Sequence, residues 1–367
     1  MSAATLTSPV RQWTTWAPAL AVVALVLGWG RDLPGLAVGV IAALLIAAVL
    51  AAVHHAEIIA HRVGEPLGSL VLAVAVTVIE VGLIVMLMSG GGDKTSTYAR
   101  DTVFAAVMIT CNGIVGLCLL IGAFHNRTVV FNAEGSGGAL ATVVTLASMT
   151  LVLPTFTTSA QGQEFTGGQL AFAAVASLCL YGLFVAVQTV RHRDYFLPVA
   201  REDEPSDPEE HAPPPSNRAT LFSLVLLLVA LVTVVGNAKL VSPTIENGVE
   251  SAGLPYAVVG VVIALMVLLP ETLAAARAAR RDRMQTSLNL AYGSAIASIG
   301  LTVPAIALAS IWLPGDLVLG LDPIHLVLLA LTAVVSGLTV VPGRATLLQG
   351  GVHMSLFAAF VFLSFSP

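Results

Sequence analysis

The sequence predicts an all-α polytopic membrane protein of about eleven transmembrane helices, built as a first helix followed by two inverted five-helix repeats. Hydrophobic residues make up 57% of the 367 residues, and charged residues only 10%. A water-soluble domain has about 25% charged residues, so this composition indicates a bilayer environment. Apolar runs that are long enough to cross a bilayer, at roughly 20 residues each, follow one another along the chain.

The apolar segments can be counted from the N-terminus. The first one follows Arg11 and resembles a secretory signal, but it ends in GWGR at residues 28–31 without an A-x-A cleavage site. Another crossing follows at once, so we interpret it as a retained helix. With boundaries good to a few residues, the segments lie near 14–30, 34–53, 67–88, 102–124, 138–158, 168–190, 219–241, 254–276, 286–313, 321–341 and 345–365.

The distribution of Lys and Arg over the loops predicts the orientation. With the N-terminus in the cytoplasm, the inner loops hold 12 of the 16 basic residues, and the outer loops hold Arg31, Lys94, Arg100 and Lys239. Basic residues concentrate in the cytoplasmic loops of membrane proteins. We therefore expect a plasma (inner) membrane protein with a cytoplasmic N-terminus and an external C-terminus.

One polar stretch, residues 191–218, separates the two halves. It has five prolines between Pro198 and Pro214 and an acidic cluster at residues 202–210. A solvated hinge is the favoured interpretation. Regulatory calcium sensing is the alternative, although clustered acids alone do not form a coordination cage. The predicted organisation is an N-terminal helix at 1–33, a first five-helix repeat at 34–190, the cytoplasmic linker at 191–218 and a second five-helix repeat at 219–367.

Two carboxylates lie inside apolar segments. Glu80 stands in the run from Leu67 to Met88, and Glu271 stands in AVVGVVIALMVLLPETLAAA. A bare carboxylate there costs about 2.5–3.5 kcal/mol on insertion scales, which marks it as a functional-site candidate. Each acid falls in the second segment of its repeat, and transporters built from inverted repeats hold their site at the repeat interface. As straight helices the two segments would place the acids at different depths, but Pro270 removes a backbone donor and disturbs the second helix.

Glu80 and Glu271 are the candidate metal ligands. A hard cation such as Ca²⁺ prefers several oxygen ligands, and two carboxylates neutralise one divalent charge. Desolvated carboxylates that lie close together also hold protons more strongly. Because an empty, ionised pair is costly in hydrocarbon, the pattern predicts exchange of a cation for protons. No Lys or Arg lies mid-span, which disfavours pairing of each acid with a neighbouring base.

Other polar side chains at membrane depth are candidates to support the cation and proton pathway. Thr77 lies three residues before Glu80 on the same helical face, where its hydroxyl either offers an oxygen ligand or bonds back to its own helix. For the amide of Asn112 we favour a functional role, because an amide in hydrocarbon demands a partner. For the serines we favour close helix packing. The further candidates, all in the segment after Glu271, are Asn289, Ser294 and Ser298.

The histidines allow competing interpretations. His54, Glu57 and His61 fall at i, i+3 and i+7 on one helical face. That spacing could hold zinc or sense cytoplasmic pH, since histidine titrates near neutrality. A solvated helix end is the favoured interpretation. His353, in the last segment, is expected to be a hydrogen-bonded interior residue with Gln349, four residues earlier, as its partner.

Several classes of function are not expected. The sequence has no nucleotide-binding loop and no basic nucleic-acid patch. An enzyme would need a nucleophile–base pair or a metal triad, and the sequence shows neither beyond the weak His54 cluster. A channel would present a repeated ring of carbonyls or charges, which one asymmetric pair of acids does not form. The expected partners are inorganic cations, protons and the lipid bilayer. No cofactor is expected, because Ca²⁺, Na⁺, K⁺ or H⁺ would be substrates.

Longer stretches of sequence resemble a known family. HHAEIIAHRVGEPLGSLVLAVAVTVIEV and ARDTVFAAVMITCNGIVG in the first half, and VLLPETLAAARAARRDRMQTSLNLAYGSAIASIGLTVP in the second, are similar to the calcium/cation antiporter superfamily. Within it they resemble bacterial ChaA-type calcium (sodium, potassium)/proton antiporters. The resemblance implies an eleven-helix antiporter in which Glu80 and Glu271 bind the cation and exchange it for protons. The wider family places Gly-Asn before each glutamate, whereas Val76-Thr77 and Met266 to Pro270 stand here. A monovalent-selective antiporter, and then a cation channel, are the alternatives.

Overall fold

The computed structural model describes most of the chain. The acidic cluster at 202–210, and with it the choice between a hinge and a calcium sensor, lies outside the described residues. The described residues are 12–31, 33–64, 67–89, 96–198, 215–255, 257–313 and 315–366.

Long apolar helices account for most of the described structure. Several are continued by short π-helical segments, in which the backbone hydrogen bonds run from i to i+5. In chain order the elements are α1 (Trp13–Gly28), α2 (Gly35–Val63), α3 (Leu67–Met88), α4 (Tyr98–Met108), a π segment (Ile109–Ile114), α5 (Val115–Asn126), β1 (Thr128–Val130), α6 (Ala133–Ala147), a π segment (Ser148–Val152), α7 (Leu153–Phe156), α8 (Gly167–Ala186), a π segment (Val187–Arg191), a 3₁₀ turn (Arg193–Phe196), α9 (Asn217–Ser251), α10 (Ala257–Val267), α11 (Leu269–Arg280), α12 (Met284–Ala297), a π segment (Ser298–Thr302), α13 (Val303–Ala309), α14 (Pro323–Val340), β2 (Arg344–Thr346) and α15 (Leu347–Phe365).

The predicted class, a polytopic helical membrane protein, is confirmed. Among the described residues, nine helices are long and apolar enough to cross a membrane. A tenth span results if α10 and α11, which are bent by 52° relative to each other, are one crossing. The apolar helix α1 is shorter, at 16 residues. A total of eleven crossings, which would include the nine helices, the bent pair and α1, stays a prediction.

Two helices extend well beyond their predicted ends. α2 continues to Val63 and α9 continues to Ser251, with Pro243 inside it. Hydropathy finds only the part of a helix that lies in hydrocarbon. The extension of α2 is HHAEIIAHRV, whose Ala and Glu residues favour helix although its polar residues end the apolar run.

The packing of the chain forms two compact units. Unit 1 comprises Met1–Met86 and Ala212–Gly248, and unit 2 comprises Leu87–His211 and Val249–Pro367. Each unit therefore takes segments from both halves of the sequence. The predicted repeats concern the symmetry of the sequence, and they stay a prediction.

In unit 1, α3 packs closely against both α2 and α9. A methyl group added at Gly68 would lie 2.6 Å from the carbonyl oxygen of Ala60, and one added at Gly82 would lie 2.5 Å from Cγ2 of Val235. Both glycines are therefore required by close approach. These two contacts hold α3 at one position before Glu80 and at one position after it.

In unit 2, the connecting segments gather at two ends. At one end Val318 N donates to the carbonyl of Ser96 (3.2 Å), and Gly320 N donates to that of Gln163 (2.9 Å). These three segments belong to loops that the sequence predicts on the outer side. Loops that were predicted to share a side thus lie together.

The other end of unit 2 contains a short sheet that the all-α prediction lacked. β1 pairs antiparallel with β2, with Val129 opposite Ala345. Nearby, Asn126 Nδ2 donates to Asp282 Oδ1 at 2.8 Å. These segments belong to loops that the sequence predicts on the inner side, so the alternation of the crossings holds at this end too.

Candidate functional site

Glu80 is a buried carboxylate in a continuous helix of unit 1. Its residue is 4% exposed, and Thr77, one turn earlier, is 8% exposed. Val74 and Val78 on the other face of α3 are each 45% exposed. The carboxylate therefore faces protein, while the valine face is the one available to lipid. Residues at i and i+3 are neighbours on a helix, so Thr77 and Glu80 share the buried face.

Glu271 lies where the helix of unit 2 breaks. α10 ends at Val267, α11 begins at Leu269, and the two are bent by 52°. Pro270 is in the first turn of α11 and has no N–H, so the carbonyl of Met266 lacks its usual i+4 donor. The disturbance that Pro270 predicted is confirmed, so the depth expected of Glu271 in a straight helix does not apply. Glu271 is half-buried in the first turn of α11, where the helix dipole favours a carboxylate.

Asn112 is fully buried in the π segment between α4 and α5. Its Nδ2 donates to Thr332 Oγ1 at 2.8 Å, and its Oδ1 lies 3.1 Å from Nδ1 of His353. His353 is also fully buried, and its Nε2 lies 3.1 Å from Thr339 Oγ1. The amide therefore has the partners that its burial demands, and its oxygen and nitrogen partners come from α14 and α15.

The predicted partner of His353 was wrong. Gln349 turns instead toward the start of α15, where its Oε1 accepts from the backbone N of Thr346 at 2.9 Å in a capping box. The spacing of four residues permitted the contact, but the unpaired N–H groups at the helix start competed for the amide oxygen.

The polar residues after Glu271 divide into two groups. Asn289 Nδ2 donates to the carbonyl of Phe196 at 2.6 Å, and its Oδ1 accepts from Gln285 Nε2 at 2.9 Å. Asn289 thus fastens the 3₁₀ turn at the start of the linker to α12. Ser298 is 5% exposed in the π segment that follows α12, and Ser294 is half-buried one turn earlier. Support of the cation pathway by these three residues stays a prediction.

The face of α2 that carries His54, Glu57 and His61 becomes more exposed toward the end of the helix. His54 is half-buried, whereas Glu57 and His61 are exposed. The described residues contain no group of three or more His, Cys, Asp or Glu side chains that could hold a metal ion, so this part of the chain gives no support to the zinc alternative. A pH-sensing or regulatory role for these residues stays a prediction.

The neighbouring His55, which the sequence analysis passed over, is the buried histidine of unit 1. Its Nε2 lies 3.1 Å from the carbonyl of Thr14 and its Nδ1 lies 3.3 Å from Ser223 Oγ. A carbonyl only accepts, so Nε2 carries the proton and Nδ1 accepts from the serine. His55 therefore connects α2 to α1 and α9.

A buried ion pair at one end of unit 2 was not predicted. Arg100 Nε donates to Asp101 Oδ1 at 2.9 Å, and the two side chains are 9% and 5% exposed. Arg100 also donates to the carbonyl of Gly320 at 3.1 Å and lies 3.3 Å from Asp322 Oδ2. Arg100 was expected in an outer loop, because no local signal distinguishes a charged loop from a charged helix start that another loop covers.

The loops at this end also bring two acidic side chains, Glu164 and Asp316, close enough to influence each other. Glu164 forms an isolated antiparallel bridge with Val318. Partial burial, and then the negative charge of Asp316, raise the pKa of Glu164 above its usual range. The carboxyl of Glu164 consequently keeps its proton to higher pH than a solvated glutamate.

Comparison with known proteins gives a consistent result. Residues 33–190 and 222–366 match the profile of the sodium/calcium exchanger protein family. The chain is 48% identical over 326 residues to the putative ionic transporter y4hA of Sinorhizobium fredii, covering 89% of this chain and 88% of that protein. It is 33% identical over 353 residues to the sodium-potassium/proton antiporter ChaA of Escherichia coli, covering 95% of each.

Solved structures share the fold. The structure of native YfkE aligns with a TM-score of 0.72 at 16% identity, covering 97% of this chain and 99% of that one. At this identity the likeness concerns the fold alone. YfkE is described as a Ca²⁺/H⁺ antiporter.

Proposed function

This chain belongs to the sodium/calcium exchanger family, and from that premise we propose that it is a secondary antiporter that exchanges a cation for protons by alternating access. The observation that supports this most is the burial of Glu80, a carboxylate that faces protein inside an apolar crossing. A bare charge there is costly, so the carboxylate must hold either a cation or a proton. A carrier that cannot move empty exchanges its substrates and does not leak.

We propose that Glu80 and Glu271 are the carboxylates that carry the cation or the protons, and that the exported cation is Ca²⁺. Two carboxylates balance the charge of one divalent ion, and oxygen is the ligand that Ca²⁺ prefers. Na⁺ or K⁺ is the second candidate. The 33% identity to a sodium-potassium/proton antiporter over nearly the whole chain favours it.

Everted membrane vesicles with a preformed proton gradient test this function. We expect the gradient to collapse when Ca²⁺, Na⁺ or K⁺ is added, and the cation that acts at the lowest concentration is the preferred substrate. The matched control is the same vesicle without the protein. A channel would instead respond to the membrane potential without needing a proton gradient, and that result would contradict the proposal.

We further propose that the protein lies in the plasma (inner) membrane with its N-terminus in the cytoplasm and its C-terminus outside. The excess of basic residues in the predicted inner loops supports this orientation. The loop contacts in unit 2 support the alternation of the crossings, and the bias of the basic residues alone indicates which side is the cytoplasm.

Labelling of single cysteines tests the orientation. In a background without Cys111, Cys118 and Cys179, Ser206→Cys in the linker should react with a membrane-impermeant maleimide in everted vesicles and not in intact cells. Thr95→Cys, in a predicted outer loop, is the matched control and should show the opposite pattern. Labelling of both positions from the same side would refute the orientation.

A further inference from the structure

A buried chain of hydrogen bonds in unit 2 surrounds Asn112. It runs from Thr339 through His353 and Asn112 to Thr332, and these residues are at most 3% exposed. They come from α14, α15 and the π segment before α5. Two consecutive helices near the end of the chain thus converge on an amide of the first half, in a π segment that also contacts α11, the helix that carries Glu271.

The direction of each hydrogen bond in this series, from Thr339 to Thr332, follows from one contact. Thr332 Oγ1 lies 2.7 Å from the carbonyl of Leu328, which only accepts, so the single hydroxyl proton of Thr332 is donated there. Thr332 must therefore accept from Asn112, which assigns the amide N to the Thr332 side and the amide O to the His353 side. His353 consequently donates from Nδ1–H, and its Nε2 accepts from Thr339.

The backbone at His353 is also held by packing. A methyl group added at Gly116, one turn after Asn112, would lie 3.0 Å from Cβ of His353. α15 therefore lies directly against the start of α5, which follows the π segment that carries the amide. Because the backbone of His353 is held in this way, its donor cannot follow Asn112 if the amide turns.

We propose that His353 is a positioning residue that holds the amide oxygen of Asn112 in the orientation needed for cation binding. The oxygen has two lone pairs, and His353 uses one of them. Without the Nδ1–H donor, the amide could turn over and present its NH₂ group, which repels a cation. This inference rests on the proposed antiport and assigns to unit 2 a role in the affinity for the cation.

Two isosteric variants of His353 separate positioning from simple packing. Asn at position 353 keeps a donor close to the place of Nδ1, whereas Gln keeps a polar group close to the place of Nε2 and loses the contact with Asn112. We expect His353→Gln to raise the KM for the cation about tenfold, the factor that corresponds to one hydrogen bond of about 1.4 kcal/mol. The maximal exchange rate should change less than twofold, and His353→Asn should restore most of the KM.

A double variant tests whether the effect passes through Asn112. In an Asn112→Ala background, His353→Gln should raise the KM no further, because interacting residues are not additive. Thr332→Val removes the acceptor on the other side of the amide but leaves the Nδ1–H donor of His353 in place, so it should raise the KM much less than His353→Gln does. Ser355→Ala, on the exposed face of α15, is the matched control. Thermal unfolding midpoints of the purified variants identify any variant that fails to fold.

The outcomes separate this inference from the proposed function. If Asn and Gln at position 353 have the same KM, or if the effect of Gln persists without Asn112, His353 is not a positioning residue although the antiport stands. If the wild-type protein shows no cation/proton exchange, the proposed function fails and this inference fails with it.

Discussion

Glu80→Gln is expected to abolish cation/proton exchange, lowering the initial rate about a hundredfold or more. The substitution keeps the size and shape of the side chain and removes its charge. Removing one charged partner from a desolvated contact costs roughly 2–5 kcal/mol, which accounts for a loss of this size. Glu271→Gln should have the same effect. The measurement is cation-induced proton release by purified protein in liposomes, with Ca²⁺, Na⁺ and K⁺ tested separately.

The loss should affect both substrates of the exchange. A neutral amide neither titrates nor balances the charge of a cation, so the variants should release no protons and bind the cation weakly. Glu250→Gln is the matched control, because Glu250 is exposed near the end of α9. Wild-type exchange rates in both Glu80→Gln and Glu271→Gln would show that these carboxylates do not carry the cation.

The central residues of the candidate site could be predicted because their signal is local. A carboxylate in an apolar run identifies Glu80 and Glu271 without any knowledge of the fold. Pro270 likewise predicted a disturbed helix, since it lacks an N–H whatever surrounds it. The 52° bend could not be predicted, because the angle depends on the helices that pack on either side of the break.

Contacts between distant residues gave no signal that sequence reasoning could use. The ring of His353 contacts Asn112, 241 residues away, whereas the local rule of four-residue spacing gave Gln349 as the partner of His353. The strands β1 and β2 have three residues each and are separated by more than half of the chain. Runs so short have neither the alternation nor the turn that reveals a hairpin.

The π segments show an intermediate case. Asn112 and Ser298, both chosen as polar residues at membrane depth, lie in π segments of corresponding crossings. Pro304, the second residue of α13, provides a local reason for the second segment, because it cannot donate to the preceding turn. The first segment contains no proline, and nothing local in the sequence predicts it.

Asp101→Ala is expected to destabilise unit 2 by about 3 kcal/mol. The change leaves the guanidinium of Arg100 buried without its closest counter-charge, and breaking a buried ion pair on one side costs roughly 3–5 kcal/mol. Arg100 keeps its contacts with the carbonyl of Gly320 and with Asp322, which places the expected value at the lower end of that range. The measurement is the free energy of unfolding in mixed detergent micelles.

Two further variants of the same cluster test the physical cause. Asp322→Ala removes a carboxylate that is 48% exposed, so it should cost less than about 1 kcal/mol. The double variant Arg100→Met/Asp101→Ala removes both charges and should recover much of the stability, because no buried charge is then left without its closest counter-charge. If the double variant is as unstable as the sum of its single variants, the loss comes from packing at the start of α4 and not from an uncompensated charge.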